Sequence, residues 1–154
     1  MRDPEVSYWL GGALSQAELE GAFQRARLTI RDTGMGMWAA ERRSDGAVVG
    51  SVGARRISFQ DHPLQGEIEL GWRLSRDQWG FGYASEGAAA VLAWAWGNLR
   101  DDRVVAFTAS TNGRSEAVMR RIGMARAPEH DFDHPTLAPG HPLRRHIVYM
   151  AQRP

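Results

Sequence analysis

The sequence predicts an α+β domain, a mixed and mostly antiparallel central sheet flanked by helices. Three observations lead there. Two strand-like runs joined by an Asp-Gly turn, followed by a third alternating run, lie between residues 37 and 74. The second half then reads strand, helix, strand, helix, strand. Hydrophobic residues make up 43% of the 154 positions and charged residues 24%, which suits one soluble domain over 1–154 and argues against disordered, collagen-like or coiled-coil chains.

Each element has a local reason. Ser15-Gln16-Ala17-Glu18 forms a capping box, and Leu19, Ala22, Phe23, Ala26 and Ile30 follow at helical spacing, so a helix is expected over about 15–31, stopped at Asp32-Thr33-Gly34. Runs at 37–43 and 47–57 flank Ser44-Asp45-Gly46 and predict an antiparallel hairpin. From 67 to 74 the chain alternates: Ile68, Leu70, Trp72 and Leu74 share one face, and Glu67, Glu69, Gly71 and Arg73 the other. A helix rich in small residues is expected over about 84–98, a β-branched strand over 103–109, and a helix over 112–122 closed by Gly123. Ile147-Val148-Tyr149-Met150 predicts a last strand.

Composition excludes several chemistries. Cysteine is absent, so disulfides, thiolate metal sites and cysteine nucleophiles are excluded. All 19 basic residues are arginine, which excludes a lysine Schiff base and a Walker-type lysine. A net charge of +1 leaves no footprint for nucleic acid or an anionic membrane, and no apolar run approaches a membrane span. The N-terminus lacks the pattern of a signal peptide, so a cytoplasmic protein is expected.

Trp79-Gly80-Phe81-Gly82-Tyr83-Ala84-Ser85-Glu86 joins the alternating strand to a helix. Glycines there allow positive φ and close approach of a ligand, and the free N–H groups of a helix's first turn bind anions. By itself Gly-x-Gly also describes an ordinary tight turn. A dinucleotide-binding fingerprint is disfavoured, because the position three after Gly82 is Ser85 and the turn follows a hairpin.

Three segments together are more specific than any one: Glu69-Leu70-Gly71-Trp72-Arg73-Leu74, the turn just quoted, and Asn112-Gly113-Arg114-Ser115 with Val118-Met119-Arg120-Arg121-Ile122-Gly123-Met124. In this order and separation the chain resembles the GNAT superfamily of N-acetyltransferases, most closely its RimJ/RimL-type branch, which modifies protein N-termini or small amines. The resemblance runs from about residue 3 to 150. It implies the GNAT (acyl-CoA N-acyltransferase) fold and acetyl-CoA as cosubstrate, with no metal. It implies that the sheet splays between strands 66–74 and 103–109, with the pantetheine lying in the gap like an extra strand.

The same resemblance places the pyrophosphate on Trp79, Gly80, Phe81, Gly82, Tyr83 and Ala84. Trp79 and Phe81 depart from the family's Gln/Arg and its frequent basic residue, so backbone contacts are expected to carry the phosphate, with Arg76 a candidate for the missing charge. Leu74 would offer a backbone donor to the oxyanion, and Asn112 a coenzyme contact. The family opens with a strand ahead of the Asp3–Val6 region. Either that strand is missing or the start is assigned too late. A sheet edge left bare in this way is a hazard that a homodimer would cover.

Attack of an amine on a thioester needs a neutral amine, an oxyanion donor and a proton for the thiolate. Deprotonating an α-amine at pH 7 costs about 1 kcal/mol and a lysine side chain about 4.6 kcal/mol, so a strong protein base matters mainly for the second. Glu69 is the leading base candidate and Glu67 the second; the competing description is a pair of solvated carboxylates. Ser115 is the candidate general acid, more plausibly a hydrogen-bond relay, and Asn112 is also a plain N-cap candidate. The expected acceptor is a small-molecule amine or a protein N-terminus. The alternative is a non-catalytic CoA-binding or regulatory module of the same fold.

Four of the five histidines lie between 128 and 146 with several aspartates. Their spacing fits neither a helical pair nor a zinc finger, leaving a loop near the acceptor or a structural loop. Trp38, Trp72, Trp94 and Trp96 are expected in the core or at its rim, and Tyr8 and Trp9 are candidates for the acceptor pocket. Glu69→Gln is expected to lower turnover with little change in acetyl-CoA affinity; kinetics unchanged across pH would remove Glu69 from the mechanism.

Overall fold

A computed structural model describes residues 3–154. Helix α1 (Pro4–Tyr8) is capped by Asp3, whose carboxylate accepts the amides of Glu5 and Val6. Helix α2 (Gln16–Thr33) carries the full capping box: Ser15 Oγ accepts the Glu18 amide, and the Glu18 carboxylate accepts the Ser15 amide. Gly34 then takes φ +72° and ends it.

Strands β1 (Gly36–Glu41), β2 (Val48–Arg56) and β3 (Ile68–Leu74) form an antiparallel meander. Helix α3 (Tyr83–Asn98) crosses over to β4 (Arg103–Ala109), which runs parallel to β3. Helix α4 (Gly113–Arg121) follows and is closed by Gly123 at φ +84°. Two short strands, β5 (Ala125–Arg126) and β6 (Phe132–Asp133), pair with the same side of β7 (Arg145–Gln152). The sheet order is β1-β2-β3-β4-β7-β5, with β6 beside β7. The mixed sheet flanked by helices is thus the α+β architecture expected. β7 is longer than 147–150, and β5 and β6 are too short to show a period of two.

Among the described residues no strand precedes α1, and β1 is one edge of the sheet. The apolar stripe expected on α2 is covered in part: Leu19, Ala22, Ala26 and Ile30 are half-buried, with Ile30 against Gly36 of β1, whereas Phe23 is 57% exposed. The main core lies between α3 and the even face of β3, where Ile68, Leu70, Ala88, Ala95 and Val104 are almost wholly buried. Trp38, Trp72, Trp94 and Trp96 pack around its rim, as expected.

The pairing of β3 with β4 consists of Ile68↔Val104 and Glu69↔Val105. Beyond it the strands part, although β2 pairs with β3 to Leu74 and β7 pairs with β4 to Ala109. Ile68→Ala, at a side chain with no exposed surface, is expected to cost about 2–5 kcal/mol. Urea denaturation should show the midpoint fall with its slope unchanged.

Candidate active site

The gap between the inner edges of β3 and β4 opens into a cavity of about 640 Å³. Its walls bring together most of the residues singled out in the sequence. Glu69 and Leu74 come from β3; Trp79, Gly80, Gly82, Tyr83 and Ala84 come from the turn into α3; Asn112 and Ser115 come from the start of α4. Phe81 is the exception. Its ring is 68% exposed, stacks on Tyr83 at 5.8 Å and is not part of the wall.

The turn is shaped by two left-handed residues, Gly80 at φ +85° and Gly82 at φ +86°. Any other residue would be strained there, because a Cβ crowds the following carbonyl. Gly82 is the N-cap of α3 and offers no side chain to its first turn, so those N–H groups stay available. Trp79 braces the turn: its indole N–H donates to the Leu74 carbonyl at 3.0 Å.

Among the described residues that line the cavity beside this turn, the charged ones are arginines. Arg114 lies over the Trp79 ring, 4.7 Å from its centroid, and donates to Glu5 at 2.9 Å. Arg76 also bonds Glu5 but is not among the cavity's lining residues. The Arg76 and Arg114 guanidiniums hold the Glu5 carboxyl below its usual range. Arg121 donates to the buried Ser85 hydroxyl at 3.1 Å, tying α3 to α4. Arg55, Arg73, Arg114 and Arg121 all line the cavity, and Glu69 is its one carboxylate among the described residues.

Glu69 is not solvated. Only 12% of its side chain is exposed, and it stands directly across from Arg55 on β2. Arg55 Nε donates to it at 2.8 Å and the Nη2 at 3.3 Å. Glu67 instead accepts from Arg103 at 2.5 Å and lies outside the cavity wall. Asn112 is 8% exposed and its Oδ1 accepts the Ser115 amide at 3.2 Å, so it is an N-cap as well as a wall residue.

The far end of the cavity is built from segments that the sequence marked only loosely. Trp9, Leu10 and Gly11 come from the end of α1, whereas Tyr8 points elsewhere and is 48% exposed. Facing them are His134, Thr136, Leu137 and Leu143 of the β6–β7 loop, with His146 of β7. Only their shared segment was apparent beforehand, because the Phe132↔His146 pairing that brings two histidines together is a long-range choice. The imidazoles of His134 and His146 lie 4.9 Å apart. Burial pushes the His134 pKa down to about 4, helped by the charges of His146 and Arg55; burial also lowers that of His146. No group of three or more His, Asp or Glu among the described residues is arranged to hold a metal ion.

Comparison with known proteins places this geometry. Residues 1–125 match the sequence model of the acetyltransferase (GNAT) domain. A protein of Bacillus subtilis strain 168, the uncharacterized YkkB, is 27% identical over 122 residues, covering 79% of this chain and 69% of that one. The crystal structure of an acetyltransferase from Agrobacterium tumefaciens is 27% identical, with a TM-score of 0.72 over 95% of this chain and 77% of that one. RimL, a ribosomal L7/L12 α-N-protein acetyltransferase solved with coenzyme A, shares the fold at 18% identity and a TM-score of 0.72, over 90% of this chain and 73% of that one.

A histidine whose pKa is lower folded than unfolded binds fewer protons in the native state, so stability rises with pH between the two values. Stability is therefore expected to fall as pH drops from about 6.5 towards about 4, and His134→Asn should flatten that window. Denaturation midpoints at stepped pH check this.

Proposed function

This chain belongs to the GNAT acetyltransferase family, and from that premise we propose that it moves an acetyl group from acetyl-CoA to a primary amine by direct attack. The observation that carries the reading is the early end of the β3–β4 pairing. Both strands keep their outer partners, so their inner edges face the gap with backbone groups that an extended amide chain can bond. The pantetheine of the coenzyme is such a chain. Its diphosphate then meets the free N–H groups behind Gly82, contacting Trp79, Gly80, Tyr83 and Ala84 and the backbone of Phe81. Arg114 and Arg121 provide the charge that Phe81 and the outward-facing Arg76 do not.

In this reading Leu74 and Asn112 flank the thioester. Ser115 hydrogen-bonds the sulfur and relays its proton, and Glu69 accepts a hydrogen bond from the incoming amine. The acceptor enters between the end of α1 and the β6–β7 loop. That end is apolar around Trp9, Leu137 and Leu143, and its one carboxylate is already paired with Arg55. A polyamine needs several free carboxylates, so the walls favour an acceptor with a single amine, a protein N-terminus or a small molecule. We read 1–154 as one domain, cytoplasmic, and a second copy as the cover for the β1 edge; light scattering tests the dimer.

Calorimetry should show acetyl-CoA binding, and thiol release with amines and N-terminal peptides separates an enzyme from a module that only holds coenzyme. Gly82→Val is expected to weaken acetyl-CoA binding by about tenfold to a hundredfold, from loss of one charge-assisted backbone hydrogen bond or more. An unchanged affinity in a folded variant would sink the phosphate assignment.

A further inference from the structure

Direct attack obliges the amine nitrogen to shed a proton, and the carboxylate beside the gap is already engaged. Both oxygens of Glu69 accept from Arg55.

The two histidines further along the wall differ in a useful way. His146 Nδ1 lies 3.1 Å from the Arg144 carbonyl oxygen. A carbonyl only accepts, so Nδ1 carries the hydrogen and the lone pair of the neutral ring is on Nε2. That Nε2 has no hydrogen-bond partner among the described residues, and the ring lines the cavity. His134 has the opposite arrangement. Its Nδ1 accepts the Thr136 amide at 3.4 Å and lies 3.0 Å from the Thr136 hydroxyl, so its Nε2 carries the hydrogen.

We propose that His146 Nε2 receives the proton released by the acceptor amine, while Glu69 holds that amine in place. This rests on the acetyl-transfer reading and names its base. The nitrogen lone pair attacks the thioester carbon and a C–N bond forms. The N–H proton passes to Nε2. The C–S electron pair leaves with sulfur, which takes a proton from solvent through Ser115, and His146 returns its own proton to solvent. One amine and one thioester become one amide and one thiol.

The surroundings keep the base ready. Phe107 and Phe132 pack on the His146 ring at 5.8 and 5.5 Å, and their apolar surface favours the neutral form. The charged and titratable groups around it are His134 on the loop, Arg55 and Glu69 across the cavity, His62 behind Phe132, and the Arg145–Asp133 pair at the end of β7. Positive charge from Arg55 acts against a proton on His134.

Two measurements on the full chain test the proposal. Long-range proton–nitrogen spectra of the acetyl-CoA complex should show His146 with a bare Nε2 at pH 7; a bare Nδ1 overturns it. With an alanyl tetrapeptide and phenylethylamine as probes, His146→Asn should lower kcat by about 10²–10⁴-fold. It should remove the acid limb of the kcat/KM profile and leave the acetyl-CoA Kd within about twofold. A variant that keeps both the rate and the acid limb overturns the proposal. If His146→Asn does not fold, the spectra and the wild-type limb decide: an acid limb that does not coincide with the His146 titration counts against it. A wild-type protein that gives no heat with acetyl-CoA removes the parent reading instead.

Discussion

β3 and β4 pair through Ile68↔Val104 and Glu69↔Val105 and then separate, while β2 and β7 hold their outer edges along the full length. The rest of the site depends on that geometry. The closed end of the gap is sealed by apolar side chains, since Ile68, Val104 and Val105 are all at most 1% exposed. The open end leaves backbone groups without strand partners, which is costly inside a protein unless something extended enters. Helix α3 begins beyond the open end of β3, and the hydrogen bond from Arg121 to Ser85 fixes its first turn relative to α4. The glycine turn and the Ser115 helix are thereby held as one frame.

Charge divides the cavity into two ends. Near the Gly82 turn the arginines outnumber acids, a field suited to a polyanionic carrier. Because each of these cations is arginine, none of them loses its charge near neutral pH. At the other end Glu69 and Arg55 neutralise each other, and the remaining polar groups are imidazoles and hydroxyls among apolar side chains. Neutral, apolar surroundings of this kind favour the uncharged form of a basic group. The same burial depresses the two histidines.

Helix α2 shows where local pattern and tertiary packing disagree. Its capping box and Gly34 stop form as local chemistry requires, yet its apolar stripe is only half-buried and Phe23 stands out in solvent. A helix forms because its ends are satisfied and its backbone bonds are internal; what lies against its side chains is a separate matter. The edge strand β1 lies beside it, so both incompletely covered surfaces occur on the same flank of the sheet.

The sequence by itself determined the features whose causes lie within a few residues. The Ser15–Glu18 cap, the Asp45-Gly46 turn, the alternation from Ile68 to Leu74, and the glycine turn at 80–82 all belong to this group. That Glu69, Asn112 and Ser115 come from segments that meet was also legible, through the order of their motifs, and all three line one cavity. Tertiary structure alone decided at which residues the β3–β4 pairing ends, that Arg55 meets Glu69, that Arg114 rather than Arg76 faces the cavity, and that His134 and His146 come together at its far end. The physical reason is range. Caps and turns satisfy backbone groups with near neighbours, whereas strand register and cavity walls are set by the packing of segments far apart in the chain, which composition and spacing do not encode.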